Sequence, residues 1–320
     1  MIDAHIHYCG DHPDCREGLT RLDIKLLNVC VAYRPGEWND QRERYRSLAQ
    51  ASPSLYAWCT SFDPPDFKDP GYMERVIAGI AVDFAAGACG CKVWKNIGME
   101  FRKPSGEYVM IDDPLFHPLF DFLRRADRPV LMHIAEPREC WLPLDPSSVH
   151  HEYYSTHLEW HMHGKPGFPS HESLMAARDR VVELYPQIRF VGAHLGSLEY
   201  DLGEIARRFE QYPNLMVDTS ARMMNLVRTE RGSVRDFLLR YADRVLYGSD
   251  FFEERSQASL TDAERRKNIA LLGETLDVER AFLESAGPVS YQGRTVQGLA
   301  LPAPVLQKLI IGNARSCYSL

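Results

Sequence analysis

Five residues able to bind a metal or move a proton stand at matching places along the chain, each at the end of a short apolar run. His5 and His7 close Ile2-Asp3-Ala4-His5-Ile6-His7, His133 follows Val130-Leu131-Met132, His194 follows Phe190-Val191-Gly192-Ala193, and Asp250 follows Leu246-Tyr247-Gly248-Ser249. In an extended strand, residues two apart point to the same face, so His5 and His7 can chelate one ion. A lone His-x-His pair also fits two hydrogen-bonded imidazoles in a mouth, and His133 alone fits a satisfied core histidine. Four imidazoles and a carboxylate converging from separate strand ends are harder to obtain by chance, and they point to a catalytic or metal-binding constellation.

The elements that must position these groups alternate along the chain. Strands are expected over Ile2 to His7, Leu26 to Ala32, Tyr56 to Ser61, Cys89 to Trp94, Val130 to Ala135, Arg189 to His194, Leu215 to Thr219 and Val245 to Ser249. Segments of helical period separate them, for example Pro114 to Ala126, where Leu115, Phe116, Leu119, Phe120 and Leu123 recur at three- and four-residue steps. Ser170 is placed to cap the next helix. Strands that alternate with helices pair in parallel, and their consecutive apolar residues imply burial on both faces. The expected fold is therefore α/β, a distorted (β/α)8 TIM barrel, whose chemistry belongs at the carboxyl ends of the strands. Because His5 and Asp250 must share one mouth, residues 1–320 are expected to form a single barrel domain.

Two decorations stand out. Residues 136–169 form a segment far longer than an ordinary βα loop and hold Trp141, His150, His151, Tyr153, Tyr154, His157, Trp160, His161 and His163, so a lid or substrate wall is expected there. Residues 260–320 are expected to supply the last helix, a small hairpin around Tyr291-Gln292-Gly293-Arg294 and a closing helix from Pro304 to Tyr318.

Composition narrows the classes. The chain has 320 residues, 45% hydrophobic and 25% charged, with a net charge of -7, so its field repels nucleic-acid phosphates and anionic lipid. No apolar run reaches the roughly 20 residues of a membrane span, and no secretory leader is expected at the start. The eight cysteines are scattered, which suits reduced thiols in a cytoplasmic protein, and Cys89-Gly90-Cys91 has the wrong spacing for a redox pair and is assigned to core packing.

The order Asp3-x-His5-x-His7, His133, His194-x-Gly196 and Gly248-Ser249-Asp250, ending in Gly312-Asn313-Ala314, resembles the metal-dependent amidohydrolase superfamily. Within it the chain is most similar to the amidohydrolase-related branch of aminocarboxymuconate-semialdehyde decarboxylase and related lactonases and hydratases. The resemblance implies that His5, His7, His133 and Asp250 hold one divalent ion, commonly zinc, with His194 beside it. Neutral imidazoles and a carboxylate suit such an ion and leave a position for water, which then loses a proton near neutral pH. Asp250 and His194 are the expected catalytic residues, and dimers are expected from the resemblance.

Strand four, Gly90-Cys91-Lys92-Val93-Trp94, resembles the strand whose carboxylated lysine bridges two metals in urease and dihydroorotase. Two arrangements follow: one zinc per chain with Lys92 as a substrate-binding or supporting residue, or a binuclear centre with carboxylated Lys92 and His194 on the second ion. Lys95 is expected to be either a substrate-side group or a plain loop cation. Further substrate-binding candidates are Glu136, which could also be a second acid, Trp141, Tyr154, Trp160 and Arg222; the alternatives are a Glu136 ion pair with Arg138 or Lys165, a structural ion pair for Arg222, and aromatic packing on the barrel rim. The expected activity is metal-dependent hydrolysis of a small amide, lactone or ester. The alternative is a lyase that decarboxylates or hydrates a small unsaturated or aromatic acid, and the more remote one is a barrel that binds metal without catalysis.

Overall fold

The computed structural model describes residues 1–253, 255 and 259–320. All eight expected strands are present: β1 (Ile2–Tyr8), β2 (Lys25–Val29), β3 (Tyr56–Cys59), β4 (Cys91–Val93), β5 (Val130–Met132), β6 (Phe190–Gly192), β7 (Leu215–Asp218) and β8 (Val245–Leu246). They pair in parallel as β3-β2-β1 and β4-β5-β6-β7-β8, and β9 (Phe252–Glu253) adds to β1. Main-chain hydrogen bonds span both seams. Thr60 and Cys91 form a parallel bridge between β3 and β4, while Ala4 N–H donates to Tyr247 O and Asp250 N–H to His5 O between β8 and β1. The result is the distorted parallel α/β barrel expected.

Most strands stop earlier than the apolar runs suggest. β5 ends at Met132 and β6 at Gly192, so His133 and His194 lie just beyond the strands rather than within them. The cause is local: Ala135 has φ 65°, and His194, Leu195, Gly196 and Ser197 have φ between 55° and 65°, conformations that leave the extended region.

An inner cluster drawn from several strands (Ile2, Ala4, Leu27, Val29, Ala57, Cys59, Leu131, Val191 and Leu246) fills the barrel and meets Ala314, Cys317 and Tyr318 of the closing helix. The outer cluster, which contains Ile6 and Tyr8, packs strands against helices. β1 contributes to both because its pairing with β2 is irregular between Asp3 and Ile6. An irregularity of this kind shifts the alternation by one residue. Below it Ile2 and Ala4 face in; above it Ile6 and Tyr8 face out, which leaves His5 and His7 to face the mouth.

The decorations also appear. Pro114–Phe116 and His117–Arg125 form the expected helix after β4, and Ser170 Oγ accepts from Ser173 N–H to cap His171–Leu184. Thr261 and Glu264 form a reciprocal capping box on the long helix Asp262–Glu284. The hairpin pairs β10 (Pro288–Tyr291) with β11 (Arg294–Gln297), and Gln292 and Gly293 at its tip have φ 45° and 77°, as a tight two-residue hairpin turn requires. Residues 303–318 are helical throughout, with one wider π turn over Lys308–Gly312. Residues 136–169 carry short helical turns at Arg138–Trp141, His151–Thr156 and Leu158–Trp160. All eight cysteines are buried. Cys89 lies in the inner cluster and Cys91 in the outer one, as core packing predicts.

Candidate metal centre and its cavity

The mouth brings His5, His7 and Asp250 together: one ligand atom from each lies within 4.8 Å of the other two. Asp250 Oδ1 is 3.6 Å from His5 Nε2 and 3.5 Å from His7 Nε2. The close approach of β8 to β1 depends on Gly248, where a Cβ would sit 2.9 Å from His5 Cβ. Asp3 fastens the same junction by accepting Ser249 N–H at 3.0 Å and the Ser249 hydroxyl at 2.5 Å.

Asp218, at the end of β7, fixes the orientation of two imidazoles. Its Oδ2 accepts from His5 Nδ1 at 2.8 Å, and its Oδ1 accepts the backbone N–H of His194 at 2.8 Å. His5 therefore keeps its proton on Nδ1 and offers the Nε2 lone pair to the mouth, the arrangement that a metal-ligating histidine needs. Ser220 joins the same network, its hydroxyl 3.1 Å from His5 Nδ1 and 2.9 Å from His194 Nδ1. His194 Nδ1 is also 2.9 Å from Ser220 O, so the ring donates there and turns Nε2 outward. The backbone beneath it is a single left-handed turn, in which the Cα of Gly196 folds back to 2.8 Å from where a Gly192 Cβ would be. Left-handed residues cost roughly 1–2 kcal/mol each, and their concentration here shows that the surroundings hold this geometry by force.

His133 is near this group but not inside the three-residue cluster. Its ring stacks edge-on against His194 at 4.3 Å, and its Nε2 is buried with no hydrogen-bond partner among the described residues, 3.8 Å from Glu136 Oε2. Burial holds His7, His133 and His194 well below the ordinary imidazole range, which keeps them neutral. Burial also raises the Asp250 carboxyl above its usual range.

Lys92 is fully buried, its ammonium 3.0 Å from His5 Nε2, and burial pulls it down to about 8. Lys95 is not a plain loop cation. It is buried against Glu136 in an ion pair and lies 4.1 Å over the Trp160 ring. Glu136 thus pairs with neither Arg138, which faces Glu172, nor Lys165, which caps the Leu158 carbonyl. Its other oxygen accepts from Tyr154 OH at 2.9 Å. Arg222 is buried 3.6 Å from Glu199, and its Nε has no hydrogen-bond partner among the described residues.

A cavity of about 600 Å³ opens over these groups, and Lys92, Glu136, Trp160 and Arg222 all line it. Trp141 does not: its Nε1–H donates to Pro169 O at 3.0 Å and its ring packs on His171, so it ties the two ends of the 136–169 segment together. The aromatic wall comes instead from Tyr33, Trp94, Tyr153, Tyr154, Trp160 and Phe252. Tyr154 and Trp160 line the cavity as the sequence suggested, whereas sequence reasoning left Asp218 and Ser220 without roles; the one available signal was that Asp218-Thr219-Ser220 sits at a strand end like the candidate ligands.

The fold has solved counterparts. An uncharacterised TIM-barrel protein from Bordetella bronchiseptica matches at 16% identity and TM-score 0.53, covering 95% of this chain and 81% of that one. A 2,6-dihydroxybenzoate decarboxylase from Rhizobium matches at 15% identity and TM-score 0.56, covering 97% and 88%. A 4-oxalomesaconate hydratase from Rhodopseudomonas palustris matches at 12% identity and TM-score 0.56, covering 100% and 95%. No curated protein matches the sequence. No helix among the described residues is long and apolar enough to cross a membrane. The family model described as Amidohydrolase covers residues 2–320, and the chain belongs to that family of enzymes.

Proposed function

We propose that this chain is a metal-dependent hydrolase of small amides, lactones or esters, with His5, His7, His133 and Asp250 holding one divalent ion. The observation that carries this reading is the convergence of His5, His7 and Asp250 beneath the cavity. The fit is chemical as well as geometric: His5 is pinned in the tautomer that presents Nε2, and His133 Nε2 is a buried nitrogen without a partner among the described residues. Imidazoles and a carboxylate suit zinc. A bound ion would supply a Lewis acid and a water acidified to near neutral pH.

The chain's own groups do the rest. Asp250, with its proton affinity raised by burial, accepts the proton of the attacking water and returns it to the leaving group. His194, fixed by Ser220 and Asp218, presents Nε2 as the neighbouring polar group. Lys92 and Arg222 offer cationic donors to a substrate oxygen. The chain acts as one barrel domain, and residues 136–169 wall the site as its lid.

A second reading, decarboxylation or hydration of a small unsaturated or aromatic acid, is favoured by one feature of the cavity. Lys92 and Arg222 face a space walled by flat rings, which suits a planar carboxylate. Metal analysis of zinc-supplemented protein, with His133→Ala as control, tests the centre: about one ion per chain is expected, and no retained metal would overturn both readings. Mass spectrometry of Lys92 is expected to show an unmodified side chain; a carbamate with two ions per chain would establish the binuclear alternative. Panels of lactones, amides and aromatic acids separate the reactions, since carbon dioxide release without ring or amide opening would replace hydrolysis by the lyase.

A further inference from the structure

The turn that follows β6 is held from behind as well as by Asp218. Arg178, buried on the helix His171–Leu184, donates from Nη1 to Gly196 O at 2.5 Å, and its guanidinium pairs with Asp179, which also pairs with Arg208. His171, buried on the same helix, has its Nε2 2.9 Å from Ser197 O, so that nitrogen donates. With the His194 N–H on Asp218, residues 194–197 are fixed at both ends.

The exit of β5 is tied to this fixed turn. Ser197 is fully buried and donates its hydroxyl to Ile134 O at 2.8 Å, with Ala135 O 3.2 Å away. Those two carbonyls lie between His133 and Glu136, in the stretch that Ala135 turns out of the extended conformation at φ 65°. Ser197 itself has φ 56°, where glycine would be less strained, so a side chain stands there at a conformational cost. The His133 ring is aimed differently from that of His5. A carboxylate pins His5 Nδ1, whereas His133 Nε2 has no hydrogen-bond partner among the described residues, and the His133 main-chain N–H donates to Val93 O at 3.0 Å. The direction of that nitrogen therefore follows from the backbone on either side of His133, set by β4 on one side and by Ser197 on the other.

We propose that Ser197 is a positioning residue of the centre: its hydroxyl locks the turn that carries His194 to the turn that carries His133, and so sets where His133 presents Nε2. The inference rests on the reading of His133 as a metal ligand. Groups that orient a ligand without touching the ion typically change metal affinity 10- to 100-fold when removed, roughly the effect to look for here.

The test combines two measurements on the full chain. In the first, metal-free protein carries ¹⁵N in its histidine rings: Ser197→Ala is expected to move the His133 resonances while those of His7, on β1, stay in place. In the second, zinc affinity is measured by competition with a chelator. Ser197→Ala is expected to weaken it about tenfold in the native background and to add no further loss in a His133→Ala background, the non-additivity of groups that act through one another. Ser197→Gly separates positioning from stability. It removes the hydroxyl but suits φ 56°, so it should be at least as stable to denaturant as Ser197→Ala and yet lose zinc affinity to the same extent. It also keeps the test open if Ser197→Ala fails to fold. Unmoved His133 resonances, a loss of equal size with and without His133, or zinc affinity that follows the stability ranking of the two variants would overturn the proposal. A native chain that retains no zinc, or a His133→Ala chain that binds it as tightly as the native one, would overturn the reading of the centre instead, and the His133 resonances then decide this inference on their own.

Discussion

The mouth of the barrel and the 136–169 segment above it are both rich in histidine and aromatic residues, yet they are built in different ways. At the mouth several groups are fixed from a second strand: Asp218 holds His5 and the His194 backbone, Asp3 holds Ser249, and the main chain of Asp250 is tied to His5. In the segment above, a few bonds carry the attachment, among them Trp141 to Pro169 and the Lys95–Glu136–Tyr154 group. The barrel strands hold the candidate centre, whereas the segment supplies Glu136, Tyr153, Tyr154 and Trp160 to the cavity wall. A difference of this kind lets one scaffold serve different substrates.

That contrast can be broken or sharpened by substitution. The largest effect is expected from Asp250→Ala, which should reduce retained metal to background and turnover by on the order of 10³-fold or more, as for other members of a reacting unit; elemental analysis and steady-state rates check both. Asp218→Asn should weaken metal binding about 10- to 100-fold through misorientation of His5, measured by competition with a chelator. If Asp218→Asn leaves metal affinity unchanged, the mouth is not held in the way described.

Tyr154→Phe removes one hydrogen bond to Glu136 and should cost about 1 kcal/mol. It should also speed proteolytic cleavage within 136–169 and leave metal affinity nearly unchanged; an equal loss of metal would erase the distinction between the two regions. Glu279 serves as a control outside both. It is buried between Tyr247 OH and Tyr291 OH, and burial raises it to about 7. The folded chain therefore binds more protons than the unfolded chain between the ordinary carboxyl pKa and about 7, so this group's contribution to stability is lost as pH rises through that window. Denaturant melts of Glu279→Gln should show a flatter pH dependence there. The smallest effect is expected from Ala221→Gly: Ala221 has φ 52°, and relief of that strain should raise stability by at most about 1 kcal/mol in a thermal melt.

Much of the fold was legible because apolar runs and helical periods are local properties. All eight strands lie where alternation predicts, and the shared depth of His5, His7 and Asp250 follows from strand-end position. The turns that end β5 and β6 were not legible, since non-glycine residues such as Ala135 and Leu195 give no sign in sequence of adopting positive φ. Nor was the partnership of Asp218 with His5, which links positions 213 residues apart and exists only once β7 lies near β1. Trp141 was misassigned for a related reason: an aromatic residue in a long loop can face a cavity or tie the loop's base, and the chain's path decides between them.

The seam between β8 and β1 has a further consequence, for the order in which the molecule comes into being. Asp3 and Ser249, which fasten the two halves of the centre, are 246 positions apart. At ribosomal speeds of roughly 5–20 residues per second, the first strand waits on the order of ten to fifty seconds for its last neighbour to be made. For that interval the nascent chain presents an apolar edge with two imidazoles and no carboxylate from the far end. Closure of the ring therefore waits for β8, and under the proposed function the metal centre is completed only when Asp250 follows it.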